Sequence, residues 1–86
     1  MIILVEDYIQ RDPGFLYEII SDSLEKGIKL VINFKGVDTL SSEYLNESIG
    51  RIIKENNFEE IKNRLNFINV EKEIKKQITI LVNSLM

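Results

Sequence analysis

Two rhythms of apolar residues run along this chain, and they predict most of its elements. Ile2-Ile3-Leu4-Val5 and Leu30-Val31-Ile32-Asn33-Phe34 are short apolar runs rich in β-branched side chains, the signature of strands covered on at least one face. The second run is the more apolar and is expected at the centre of a parallel sheet. Between them Asp12 can cap a helix with Pro13 at its first position, and Phe15, Leu16, Ile19, Ile20 and Leu24 recur at helical spacing until Gly27. Ser41 or Ser42 can cap a second helix with the inward face Leu45, Ile49, Ile52 and Ile53, stopped by Asn56-Asn57. Phe58, Ile61 and Leu65 allow one or two further helical turns before a third strand, Leu65-Asn66-Phe67-Ile68-Asn69. Val70, Ile74, Ile78, Leu81, Val82 and Leu85 then line one side of a final helix whose plain role is to pack on the core.

The order β-α-β-α-(short α)-β-α, without repeats or a linker, predicts one α/β domain over residues 1–86. Its sheet is expected to be small and mainly parallel, three to four strands, with helices mostly on one face. The other face or an edge is then left to a partner.

Composition narrows the chemistry. The chain has 86 residues, 44% hydrophobic and 29% charged, a globular mixture with one modest core. It contains no His and no Cys, which removes imidazole and thiolate ligands, a cysteine nucleophile and the usual neutral-pH base. With a net charge of −3 and lysines interspersed with glutamates, there is no basic stripe of the kind nucleic acid requires. The longest apolar run, Met1 to Val5, is far below the ~18 residues of a spanning helix and lacks the flanks of a signal peptide, so no membrane is expected and a cytoplasmic location is. Glu6, Asp7, Asp38 and Glu43 can lie near the strand ends, but no spacing makes them a metal site. The lone Gly36 builds no phosphate loop. No nucleophile is paired with a base, and neither an enzyme nor a cofactor is expected.

What remains is the stretch from Leu30 to Glu47, a buried strand, a glycine turn and a serine-capped helix start, where an α/β protein presents a functional loop. Its candidate partner-binding residues are Gly36, Val37, Asp38, Thr39, Ser41, Ser42, Glu43, Tyr44, Asn46 and Glu47. Each has a bland reading beside it. Ser41 or Ser42 as a cap and Glu43 in the first turn are what a helix start favours anyway. Tyr44 lies about 100° off the inward face, so its ring either leans on the core margin or meets a partner.

Two family resemblances bear on these residues. Ile2-Ile3-Leu4-Val5-Glu6-Asp7 resembles the opening of a response-regulator receiver domain, but the chain is too short for five strands, and Asn69 stands where the third strand ends. From about Tyr8 to Leu85 the chain more broadly resembles the bacterial STAS-like domains, relatives of anti-sigma factor antagonists. Asn33-Phe34-Lys35-Gly36-Val37 is similar to their Asp-Phe-x-Gly-Val strand end, Ser41 to Glu47 to their helix start, and Asn69-Val70 to the turn before the last helix. That resemblance implies a protein-binding regulatory domain whose partner is a kinase-like ATPase or another signalling regulator. In the antagonists a serine at this helix start is phosphorylated, which adds roughly two negative charges and changes association. The matching position here is Glu43, so either Glu43 supplies the charge permanently, Ser42 is the acceptor one residue earlier, or only a docking surface persists. A phage or mobile-element inhibitor on the same scaffold and a truncated receiver-like phosphoacceptor are the alternatives. Self-association is left open.

Overall fold

The computed structural model describes residues 1–85, without the side chain of Leu85. Three strands, β1 (Ile2–Leu4), β2 (Leu30–Asn33) and β3 (Leu65–Ile68), form one sheet in the order β1-β2-β3, all parallel. Ile3 stands beside Ile32 and Ile32 beside Phe67, so the apolar runs meet row against row. The apolar run of β2 does occupy the centre. Strand β1 is one residue shorter than its run, because Val5, fully buried, begins a 3-10 turn over Val5–Asp7.

Strand order along the sheet equals strand order along the chain, so both crossovers step the same way, and right-handed connections put both helices on one face. The burial follows. Ile3, Leu30, Ile32 and Leu65 point under the helices, whereas Ile2 and Leu4 on the other face are 67% and 44% exposed.

Helix α1 (Pro13–Glu25) starts where Asp12 accepts a hydrogen bond from the Gly14 N–H at 2.8 Å, with Pro13 in the first turn. It buries Leu16, Ile20 and Leu24, but Phe15, expected on that face, is 52% exposed. Phe15 lies one step of about 100° before Leu16, which rotates it out of the core stripe; the Arg11 guanidinium instead sits 5.9 Å from its ring centre.

Helix α2 runs unbroken through Ser42–Leu45, a π-helical stretch Asn46–Gly50 and Arg51–Glu55. The expected face of Leu45, Ile49, Ile52 and Ile53 is buried. The wide turn in the middle departs from the regular helix that the apolar spacing predicts. It accommodates a buried face that repeats every four residues, Tyr44-Leu45, Ser48-Ile49 and Ile52-Ile53, apolar except for Ser48. In an ideal α-helix each four-residue step overshoots a full turn by about 40°, and the π stretch absorbs that drift. Inside it Ser48, wholly buried, donates its hydroxyl to the Tyr44 carbonyl at 2.7 Å.

After Asn56, Asn57 caps the short helix α3 (Phe58–Ile61), accepting from the Glu59 N–H at 3.0 Å. Helix α4 (Lys72–Leu85) packs on α2 through Ile74 and Ile78, with Leu81 and Val82 half-buried. Val70 precedes this helix, and the expected inward side chain of Leu85 lies outside the described residues. The helices also lock to one another at polar points. Tyr17 of α1 donates its hydroxyl to Glu55 of α2, while Arg51 stacks 3.7 Å above the Tyr17 ring. The Glu55 carboxylate holds the Tyr17 phenol above its ordinary pKa, with burial adding to the effect.

Candidate functional site

At the C-terminal ends of the strands, where open α/β sheets carry their sites, the chain leaves β2 in a tight turn. The Val37 N–H donates to the Phe34 carbonyl at 2.9 Å, and Gly36 sits at the third position of that turn with φ of +85°. Positive φ is what a type II turn demands there, and glycine supplies it without strain. The Glu6 side chain lies directly over Gly36, so that a Cβ there would run into its carboxylate.

Asn33 ties the same region together. Its Oδ1 accepts from the Lys35 N–H at 2.9 Å and from Asn69 Nδ2 at 3.0 Å. β3 stops at Ile68, one residue before the expected end, because Asn69 turns out of the strand with φ of +54°, a left-handed conformation that asparagine tolerates better than most residues. The residues that resemble the two strand-end motifs of the STAS-like pattern are therefore in contact.

Past the turn, Val37 and Leu40 anchor the loop to the core while Asp38 and Thr39 face solvent. Ser41 is the cap of α2: its Oγ accepts from the Tyr44 N–H at 3.0 Å. Ser42, at the first helical position, is exposed, and its hydroxyl accepts only a 3.4 Å contact from Gln77 Nε2 of α4. Glu43 in the same turn is exposed, as are Asn46 and Glu47 one turn on. Asp38, Glu43 and Glu47 thus make this end of the molecule acidic.

Two of the ten candidate residues do not belong to the surface. Val37 is 2% exposed, and Tyr44 is 9% exposed with its hydroxyl donated to the Tyr8 carbonyl at 2.8 Å. Burial raises the Tyr44 phenol above its ordinary pKa, helped by the charge of Asp12. Both side chains brace the loop from beneath. Tyr44 turns inward because the wide turn of α2 rotates the helix start relative to Ile52 and Ile53. The other eight, Gly36, Asp38, Thr39, Ser41, Ser42, Glu43, Asn46 and Glu47, share the exposed strand-loop-helix surface.

The acidic residues near the strand ends do not converge. Among the described residues no three His, Cys, Asp or Glu side chains stand close enough to hold a metal ion, and Glu6, Asp7, Asp38 and Glu43 make no such group.

A three-stranded parallel sheet with its helices on one face and a capped helix start beyond a glycine turn defines a small α/β domain of STAS-like type. The sequence agrees: residues 15–75 match the family described as STAS-like domain of unknown function, DUF4325, and the chain belongs to that family. No characterised protein and no solved structure matches it. No helix among the described residues is long and apolar enough to cross a membrane.

Proposed function

We propose that this STAS-like domain is a non-enzymatic regulatory module of the bacterial cytoplasm that binds another protein through the surface from Gly36 to Glu47. The observation that carries the reading is the build of the helix start. Ser41 is spent as the cap, which leaves Ser42 and Glu43 exposed beside Asp38 on a loop anchored by Val37 and Tyr44. Anchored from below and polar above, such a loop meets a partner without first paying to be ordered. Glu43 supplies a fixed negative charge where an antagonist's phosphoserine stands, and the partner is a kinase-like ATPase or another signalling regulator with a basic contact for that charge. Ser42 is the hydroxyl in this turn left free to accept a phosphate.

The test is recovery of the partner from the native host with tagged wild-type protein and tagged Glu43→Lys, with thermal unfolding of both. Loss of a stoichiometric partner from Glu43→Lys at an unchanged melting temperature is expected. Equal recovery by the two proteins removes Glu43 from the interface. Intact mass of the protein recovered from cells reports a phosphate on Ser42, and Ser42→Ala identifies its position.

A further inference from the structure

Strand β1 is an edge of the sheet and pairs with β2 alone among the described residues. The Met1 carbonyl accepts from the Val31 N–H at 2.8 Å, so the strand turns the hydrogen-bonding groups of Ile3 toward β2 and those of Ile2 and Leu4 outward. The Leu4 carbonyl opens the 3-10 turn that follows, which leaves the Leu4 N–H and both groups of Ile2 for another chain. Ile2-Ile3-Leu4 carries no charge, proline or bulge to guard that edge.

Apolar side chains continue from the edge onto α1. Tyr17 of that helix faces α2 through its bond to Glu55. Phe15 and Ile19, two residues before and after Tyr17, each stand about 160° around the helix from it and so face the opposite way, over β1. Ser23, one turn beyond Ile19, has its Oγ 3.5 Å from the Met1 sulfur, which fixes α1 beside the start of the strand. The flank of β1 and α1 thus gathers Met1, Ile2, Leu4 and Phe15, all exposed, and the half-buried Ile19.

We propose that this flank takes a second copy of the chain, joining two sheets into one of six strands. The match is one of symmetry and charge. A strand rises about 3.3 Å per residue and a helix about 1.5 Å, so Ile3 stands about 6.6 Å along from Met1, and Ile19 about 6 Å along from Ser23 in the same direction. Ile3 and Ile19 are therefore level. One two-fold axis, normal to the sheet between the two Ile3 residues, pairs β1 with β1 antiparallel and also lays α1 against α1 about Ile19. Ile2 then lies opposite Leu4, and the Leu4 N–H of each copy donates to the Ile2 carbonyl of the other. Asp12 and Lys26, both exposed, stand seven residues before and after Ile19 and on its side of the helix. The same axis sets the Asp12 of each copy beside the Lys26 of the other, two contacts of opposite charge. Phe15 falls opposite Ser23 and covers the exposed Met1 of the other copy. The flank shares no residue with the surface from Gly36 to Glu47, and neither proposal depends on the other.

Sedimentation equilibrium of the full chain and a single introduced cysteine test the arrangement. A three-residue strand and one helix flank make a small interface, so the mass is expected to rise from 10.0 kDa toward twice that value between about 10 and 500 µM. Phe15→Glu and Ile2→Glu, both at exposed positions, should each weaken dimerisation at least tenfold with an unchanged unfolding transition. Asp12→Asn, which keeps the helix cap, and Lys26→Gln should each weaken it about threefold, and the double variant no more than either alone, because both remove the same contact. The chain has no cysteine, so Ile19→Cys should give a disulfide-linked dimer on mild oxidation, whereas Glu18→Cys, exposed but turned about 100° away on α1, should not. A chain that stays a monomer at about 500 µM overturns the proposal. So does a dimer that survives Phe15→Glu and Ile2→Glu, or one that cross-links through Glu18→Cys as readily as through Ile19→Cys.

Discussion

Replacing Gly36 with alanine tests the turn that carries the candidate surface, and the molecule contains its own control. Gly27 and Gly36 both have positive φ, +74° and +85°, but a Cβ at Gly27 meets nothing within 4 Å whereas one at Gly36 meets the Glu6 carboxylate. Gly27→Ala therefore bears only the backbone cost of a left-handed alanine, about 1 kcal/mol after the smaller entropy of the unfolded chain is credited. Gly36→Ala bears the same cost plus the displacement of Glu6. That side chain is exposed and flexible, and moving it adds only about 0.5 to 1 kcal/mol. The expected total is about 1.5 to 2 kcal/mol, a fall in melting temperature of roughly 6 to 16 °C for a domain of this size. Urea denaturation of wild type, Gly27→Ala, Gly36→Ala, Glu6→Ala and the Glu6→Ala, Gly36→Ala double variant reads both parts. In the double variant the cost of the alanine at 36 should drop to that at 27. A Gly36→Ala protein as stable as wild type would refute the positive φ. A cost at 36 above that at 27 which Glu6→Ala leaves untouched would refute the contact.

The two serines of the α2 start should separate cleanly. Ser41→Ala loses the cap and is expected to cost about 1 kcal/mol in urea denaturation, whereas Ser42→Ala, which loses a 3.4 Å contact, should stay within about 0.5 kcal/mol; equal costs would contradict the capping assignment. Tyr44→Phe removes the hydroxyl that serves the Tyr8 carbonyl and should cost about 1 to 2 kcal/mol at neutral pH. Because the folded state raises the Tyr44 pKa above 10.0, the tyrosine's contribution is complete below pH 10 and is lost as pH climbs through the folded value. The stability gap between wild type and Tyr44→Phe should thus narrow only on the alkaline side of pH 10. A gap that narrows on acidification would mean the phenol is held in another way.

Much of the fold was legible because its elements rest on local pattern. The apolar run of β2, the Asp12-Pro13 start of α1 and the Ile74 and Ile78 face of α4 each need only the period of a strand or helix to be read. Those readings failed where tertiary geometry overrode the local period. Val5 continues the apolar run of β1, yet it leaves the strand to be buried in a 3-10 turn. Phe15 satisfies helical spacing only loosely and ends in solvent. Tyr44 was ambiguous by one helical step, and the deciding signal was the four-residue repeat of buried positions from Tyr44 to Ile53, which a 3.6-residue template overlooks. The strand-end motif with Asn33 and the turn with Asn69 were both visible in the sequence. Their hydrogen bond was not, because it depends on β2 and β3 being neighbours in register.

The sequential strand order also bears on how the chain is made. Each strand pairs only with the strand before it and the strand after it in the chain, so no segment waits for a distant one before it can begin to fold. As the chain leaves the ribosome from its N-terminus, β1, α1 and β2 can assemble as a complete parallel unit while β3 and α4 are still being synthesised. The half-built molecule then exposes the edge of β2 and the inner sides of Leu30 and Ile32, and it is the arrival of α2 and β3 that covers them. Synthesis and folding therefore proceed in the same direction, and a pause between residues 34 and 65 lengthens the interval in which that edge can pair with the wrong strand.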